Sequence, residues 1–316
     1  MTDHHPIEIA PPAIEPYRTG NTGVEYVHVL DSGKPGPNVM LQALTHGNEF
    51  CGALALVFLF EQRIQPINGK LTLAFANVAA FARFDFDDPD RSRYIDEDYN
   101  RVWADDALLG PRDSVELRRA RALRPFVDQT DYLLDLHSMH EPCRPIMVCA
   151  RSEKSVALAR RIGVPADLLL DTGHPAGLRM IERGAFDDPA SPRTAVLIEC
   201  GQHWEKSAAD VAVDTMLRFL KVTGVVDPAW ADSRTRSAIP KTQRVIRVTE
   251  PVVAKTMNFR FTSPFKGLEV IPKSGTVVAN DGGTAWKTPY HDCVMVMPSM
   301  KHLKPGTTMV RLGRYD

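Results

Sequence analysis

Four residues of this chain combine a chemically useful type with a telling position: His46, Glu49, His137 and Glu199. His46 and Glu49 are three apart, so an imidazole and a carboxylate can reach one metal ion from one side of a turn. Such spacing also arises by chance, and its meaning depends on the flanking sequence. After Pro37 comes Val39 to Leu44, a short and mostly apolar run that suits a strand buried on both faces. From Phe50 onward, apolar residues and good helix formers continue for more than two turns, which predicts a buried helix. The pair therefore lies at a strand-to-helix turn. In open α/β sheets that turn is at the carboxyl edge, where ligands bind.

His137 follows another apolar run, Asp131-Tyr-Leu-Leu-Asp-Leu136, and so mirrors His46. Asp135, two residues earlier, is on the same side of the strand and could orient the imidazole. Glu199 ends a third run, Thr194-Ala-Val-Leu-Ile198. A carboxylate in that place must be exposed at the sheet edge, paired, or functional. Two histidines and a glutamate would give three protein ligands with a fourth position open to water, the arrangement of a catalytic zinc. Glu199 would then be the general base.

The elements that must position these groups can be followed along the chain. Residues 1 to 24 read as an extended arm, with His4 and His5 exposed to solvent. Tyr26 to Leu30 is an expected edge strand, and Lys70 to Ala76 a second strand beyond the Asn68-Gly69 turn. Arg83 to Arg101 is a long acidic loop containing Asp85, Asp87, Asp88, Asp90, Asp96 and Asp98 beside Arg91, Arg93 and Arg101. Loops of this length inside compact domains tend to be functional, although a solvated charge cluster is the plainer reading. Ser114 caps an expected helix to Val127, which Pro125 should kink or end. Pro145–Ala150 and Ala166–Leu170 read as strands, Ser152–Ile162 and Ser207–Leu220 as helices. Asp171 to Arg193 reads as a loop carrying Arg179, Arg183 and Arg193. From Arg244 the pattern becomes short β segments: Val245–Thr249, Gly275–Ala279, Cys293–Met297 and Thr308–Leu312. His291 and His302 fall there and read as surface or structural. The expected organisation is an α/β catalytic domain over residues 1–235 and a small all-β domain over 240–316.

Composition bounds the function. A net charge of −1 argues against a general nucleic-acid or anionic-membrane binder. The longest apolar run, Ala53 to Phe60, is too short to span a bilayer, and no secretory signal is visible at the N-terminus. Five cysteines without a Cys-x-x-Cys favour a reducing compartment, and the cytoplasm is the expected location. No Gly-x-Ser-x-Gly, dinucleotide fingerprint or phosphate loop occurs.

With these pieces in order, the sequence resembles the aspartoacylase and succinylglutamate desuccinylase family of the zinc carboxypeptidase superfamily. The matching segments are Thr45-His-Gly-Asn-Glu49, Ser92-Arg-Tyr-Ile-Asp-Glu-Asp-Tyr-Asn-Arg101, Asp135-Leu-His137 and Ile198-Glu-Cys-Gly201, within residues 38 to 222. The resemblance implies an α/β fold with a mixed sheet flanked by helices and a small C-terminal β domain. It implies one zinc per chain on His46, Glu49 and His137, with Glu199 as base and then acid. It makes Arg93 the group that polarises the scissile carbonyl, and Asn100 and Arg101 the holders of a substrate carboxylate. The chain departs from the family in three places, the first being Tyr99 where aspartoacylase has leucine. Arg179, Arg183 and Arg193 compete for a second family arginine, and Tyr290 is a weak counterpart of a tyrosine that enters the site. The implied substrate is a small N-acylated amino acid, hydrolysed at its amide, with association into a homo-oligomer left open. A metallocarboxypeptidase acting on peptides and a non-catalytic metal-binding module are the alternatives.

Overall fold

The computed structural model describes residues 5–171, 173–301 and 303–316. His4 and His302 lie outside the described residues. Fourteen strands are present among the described residues: β1 Val27–Asp31, β2 Asn38–Ala43, β3 Lys70–Phe75, β4 Tyr132–Met139, β5 Ile146–Val148, β6 Asp167–Leu170 and β7 Thr194–Gln202, then β8 Arg244–Val253, β9 Arg260–Phe261, β10 Glu269–Ile271, β11 Val277–Asp281, β12 Thr284–Lys287, β13 Cys293–Val296 and β14 Thr308–Tyr315. The helices are α1 Phe50–Glu61, α2 Val78–Phe81, α3 Asp105–Leu109, α4 Val115–Val127, α5 Glu153–Ile162, α6 Lys206–Thr223 and α7 Pro228–Asp232.

Eleven strands form one mixed sheet in the order β1-β3-β2-β4-β7-β5-β6-β8-β14-β13-β10. Its centre, β3-β2-β4-β7, is parallel, so the carboxyl ends of β2, β4 and β7 meet along one edge. Alternate residues of these strands serve two cores. Leu41, Leu134 and Val196 pack with α1, α5 and α6 on one face. Met40, Leu133 and Ala195 pack with Leu117, Leu123 and Trp103 on the other. Both faces being covered explains why the sequence runs are apolar throughout instead of alternating.

β1 lies at the sheet's edge, antiparallel to β3. Its five residues leave little open edge for another chain to pair with. Ser114 Oγ accepts from Leu117 N and caps α4, which carries Pro125 inside it and continues to Val127. α6 runs three residues past Leu220 and stops at Gly224, whose φ of 76° suits a residue without a Cβ. From Arg244 the structure is antiparallel β, with its own core around Phe259, Val278 and Met295. This region also continues the main sheet, because β8 pairs in parallel with β6. All five cysteines are free thiols. No described helix is long and apolar enough to cross a membrane.

Candidate active site

The β2–α1 turn sets the first two groups. Leu44, just after β2, has a φ of 57°, an uncommon conformation for a branched residue that re-aims the chain toward the sheet's edge. Gly47 is packed so closely that a Cβ would fall 2.3 Å from Phe81 N and Ser92 O. The turn is thereby clamped between α2 and the acidic loop. Glu49 is the N-cap of α1 but its side chain caps nothing. Its carboxylate instead faces two imidazoles, with Oε1 at 2.7 Å from His46 Nδ1 and Oε2 at 3.0 Å from His137 Nδ1.

Each imidazole has a carboxylate on its other nitrogen. Asp135 Oδ2 is 2.7 Å from His137 Nε2, and Asp98 Oδ1 is 3.0 Å from His46 Nε2. Asp135 is in turn held by Thr45 Oγ1 at 2.8 Å, and Thr45 by Gln42 Nε2 at 2.8 Å. The Nε2 partners orient the two rings with Nδ1 toward Glu49, and His46 Nε2 also has Arg93 Nη2 at 3.1 Å. Burial alone would raise the Glu49 carboxyl, but His46 and His137 more than reverse this and hold it well below its usual range. His137 is likewise held well above the usual histidine range, with Asp135 and Glu49 overcoming the opposing effect of burial.

Ligand atoms of His46, Glu49 and His137 all lie within 4.8 Å of one another and are buried. Glu199 stands beside them because β4 and β7 pair His137 with Glu199. Part of its side chain opens to the cavity, yet Oε2 is enclosed with no hydrogen-bond partner among the described residues. Burial, aided by Glu49 and opposed by His137, His46 and Arg93, pushes its carboxyl up to about 7. Three converging ligands and an unpartnered carboxylate fit a catalytic zinc of the two-histidine, one-glutamate type.

A cavity of about 430 Å³ opens over this cluster. Arg93 reaches in from the acidic loop and donates from Nη1 to Glu49 Oε1 at 3.2 Å. Asn100 and Arg101 also line the cavity. Asn100 Oδ1 accepts from Met180 N at 3.0 Å, which ties this loop to the 171–193 loop. Arg101 Nη1 donates to the neighbouring Asn100 carbonyl at 2.7 Å, and its Nη2 is 3.9 Å from Asp98 Oδ2.

Of the three competing arginines, only Arg179 lines the cavity. It is held by Glu182 at 3.0 and 2.9 Å and by Asp171 at 2.8 Å. Arg183 binds Asp128 and Asp105 elsewhere, and Arg193 donates to Asp128 O. Tyr290 does not line the cavity; its hydroxyl bonds Thr249 Oγ1 at 2.6 Å. His291 is exposed, as expected. His5 is half-buried, not solvent-exposed, because the arm folds back and brings its Nε2 within 3.4 Å of Glu141.

Several wall residues carry no signal in the local sequence. Asp98 sits behind His46, and buried His203 holds Ser138 Oγ at 2.9 Å. His174 and Arg311 line the far wall, Arg311 from β14. His140 and Glu141 form a rim cluster with His5, which Asp90 and Lys301 extend.

Residues 35–222 match the succinylglutamate desuccinylase/aspartoacylase catalytic domain. The chain belongs to this family. Comparison with curated proteins gives no match. Among solved structures, succinylglutamate desuccinylase from Vibrio parahaemolyticus superposes with a TM-score of 0.69 at 16% identity, over 92% of this chain and 86% of that one. The Vibrio cholerae succinylglutamate desuccinylase gives 0.67 at 18% identity, over 93% and 90%. The ectoine utilization protein EutE (DoeB) from Ruegeria pomeroyi, solved with product bound, gives 0.63 at 15% identity, over 92% and 89%. At these identities the structures establish a shared fold, the mixed sheet flanked by helices with its C-terminal β region. The matched segment contains His46, Glu49, His137 and Glu199.

Proposed function

We propose that this protein is a zinc-dependent hydrolase that cleaves the amide bond of a small N-acyl amino acid, releasing a carboxylate and a free amino acid. The observation that carries the reading is Glu199 Oε2, enclosed without a partner beside His46, Glu49 and His137. A site that merely binds metal has no use for such a carboxylate. Zinc held by those three residues would lower the pKa of an attacking water and polarise the acyl carbonyl.

The remaining work falls to the chain's own groups. Glu199 accepts the proton of the attacking water at its carboxylate oxygen. With its carboxyl near 7, it can return that proton to the leaving nitrogen as the C–N bond breaks. Arg93 donates to the carbonyl oxygen as negative charge develops there. Arg101, with Asn100 beside it, holds the substrate's α-carboxylate through the guanidinium fork. The five free cysteines suit the reducing cytoplasm as working compartment.

A hydrolysis screen on zinc-loaded protein tests the reading, using N-acetyl, N-succinyl and N-formyl amino acids with blocked dipeptides alongside. Release of free amino acid that disappears in Glu199→Gln supports it. Cleavage of the dipeptides alone would make the protein a carboxypeptidase, and no turnover with full zinc occupancy would make it a binding module.

A further inference from the structure

A second set of ligating side chains lies at the rim of the cavity, apart from the buried cluster. Ligand atoms of His5, His140 and Glu141 all fall within 4.8 Å of one another. They come from two distant parts of the chain, the N-terminal arm and the turn just past β4. The arm is led there by Glu8, whose N donates to Trp204 O at 3.0 Å and whose Oε2 accepts from Lys206 N at 3.0 Å. None of the three side chains has a part in the proposed hydrolysis.

The distances set this trio apart from an ordinary salt-bridge network. Glu141 stands between the two rings, with Oε1 3.2 Å from His140 Nδ1 and Oε2 3.4 Å from His5 Nε2. Charge-assisted hydrogen bonds close to about 2.7–2.9 Å. Ligands about 2.0–2.2 Å from a tetrahedral zinc ion instead stand roughly 3.3–3.6 Å apart, along an edge of the tetrahedron. A supporting carboxylate is present as well. Asp90 Oδ2 lies 3.5 Å from His140 Nε2, behind the ring, as Asp135 lies behind His137. Lys301 Nζ is 2.6 Å from the same Asp90 oxygen, so it neutralises Asp90 and leaves the charge of Glu141 to another cation. Ser299 Oγ donates to Glu141 Oε1 at 3.4 Å and steadies that carboxylate. The side chains of His5, His140 and Glu141 are 33%, 19% and 39% exposed, which leaves them open to an ion from solvent. Two imidazoles and one carboxylate suit zinc better than magnesium or calcium, which favour oxygen ligands.

We propose that His5, His140 and Glu141 bind a second zinc ion, which fastens the N-terminal arm to the rim of the cavity. His140 and Glu141 line the cavity, so the ion sits where substrate enters. The site does not depend on the deacylase reading, because its ligands are separate from His46, Glu49, His137 and Glu199.

Equilibrium dialysis of the full chain against zinc, with elemental analysis of the bound metal, tests the proposal. Wild type should take up about two zinc ions per chain, one in each cluster. His46→Ala should empty the buried site and keep the rim ion. His5→Ala and Glu141→Gln should each lose the rim ion and keep the buried one; both change partly exposed side chains and should fold. Hydrogen exchange supplies the second readout. Amides of the arm should exchange ~10-fold more slowly once the second ion binds, and His5→Ala should abolish that protection. A wild type that takes up a single zinc, lost in His46→Ala, would overturn the proposal and leave the rim a salt-bridge network. So would a second zinc that persists in both rim variants. Two bound ions with unchanged exchange in the arm would overturn the fastening. Two bound ions with no hydrolysis of any N-acyl amino acid would support the rim site while removing the deacylase reading.

Discussion

At the scale of single residues, the decisive group is Glu199. Its carboxyl is pushed up to about 7 by burial, and replacing it with Gln keeps the shape while removing the base. Zinc content and fold should survive in Glu199→Gln, while kcat falls by ~10²–10⁴-fold, the usual contribution of a positioned acid–base group. Elemental analysis beside steady-state kinetics checks both halves. Loss of zinc would instead make Glu199 a ligand. The base works only when deprotonated, so wild-type kcat/KM should fall as pH drops below about 7. His46→Ala and His137→Ala should each lose the metal. Arg93→Ala should lower kcat, because charge on its partner develops only in the transition state, and Arg101→Ala should mainly raise KM. Unchanged kinetics in both arginine variants would return the acidic loop to a solvated charge cluster. His46, Glu49, His137 and Glu199 were legible because each ends or follows an apolar run that fixes its place on the sheet. Arg311 was not. A charged residue in the alternating segment Thr308 to Tyr315 reads as a solvent-facing position, whereas Arg311 is 13% exposed and lies 3.7 Å from Asp171.

At the scale of elements, the boundaries that sequence reading missed were those set by partners. β7 continues beyond Ile198 to Gln202 because its pairing with β4 carries on through Glu199. No local pattern encodes that neighbour. The rim cluster shows the same dependence on tertiary contacts. His140, just past β4, lies 3.2 Å from Glu141 and 3.5 Å from Asp90, and Lys301 reaches Asp90 at 2.6 Å. The arm, the acidic loop, the β4 end and the C-terminal region therefore meet on one network. Burial would lower the His140 pKa, but Asp90 and Glu141 raise it from 6.5 to about 9. Since the folded value is above the unfolded one, the stabilisation is fully present below about pH 6.5. It is lost as pH rises through about 9. His140→Gln should cost on the order of 1 kcal/mol at pH 6, and the gap to wild type should close near pH 10. Urea unfolding at both pH values measures it, and a gap independent of pH would show that packing, not charge, is at work.

At the scale of the whole molecule, the C-terminal β region and the catalytic region share one sheet. The change in composition near residue 240 is visible in the sequence, but the pairing of β8 with β6 is not, since parallel partners far apart leave no mark on either segment. This joint has an energetic anchor in Asp167, which is 1% exposed at the start of β6. Its carboxylate accepts from Arg144 at 3.1 Å, from Arg244 at 2.9 Å and from Tyr315 at 3.2 Å. Two of those three partners belong to the C-terminal region. A fragment ending at residue 235 would strip them away, leave the β6 edge open, and remove the cavity wall that carries Lys301 and Arg311. Asp167 is buried but Arg244 is 49% exposed, so losing that pair costs ~1 kcal/mol. Against a total stability of ~5–15 kcal/mol for a typical domain, the bared apolar surface, more than that loss, should prevent a stable fold. The 1–235 fragment should therefore show no cooperative urea transition and no stoichiometric zinc. Asp167→Asn in the full chain is the milder counterpart: it keeps the strand pairing, removes the charge opposite Arg144 and Arg244, and should lower stability without altering zinc content. A soluble fragment that unfolds cooperatively and holds zinc would instead establish residues 1–235 as an autonomous catalytic unit, with the β region an attachment that only shapes the cavity.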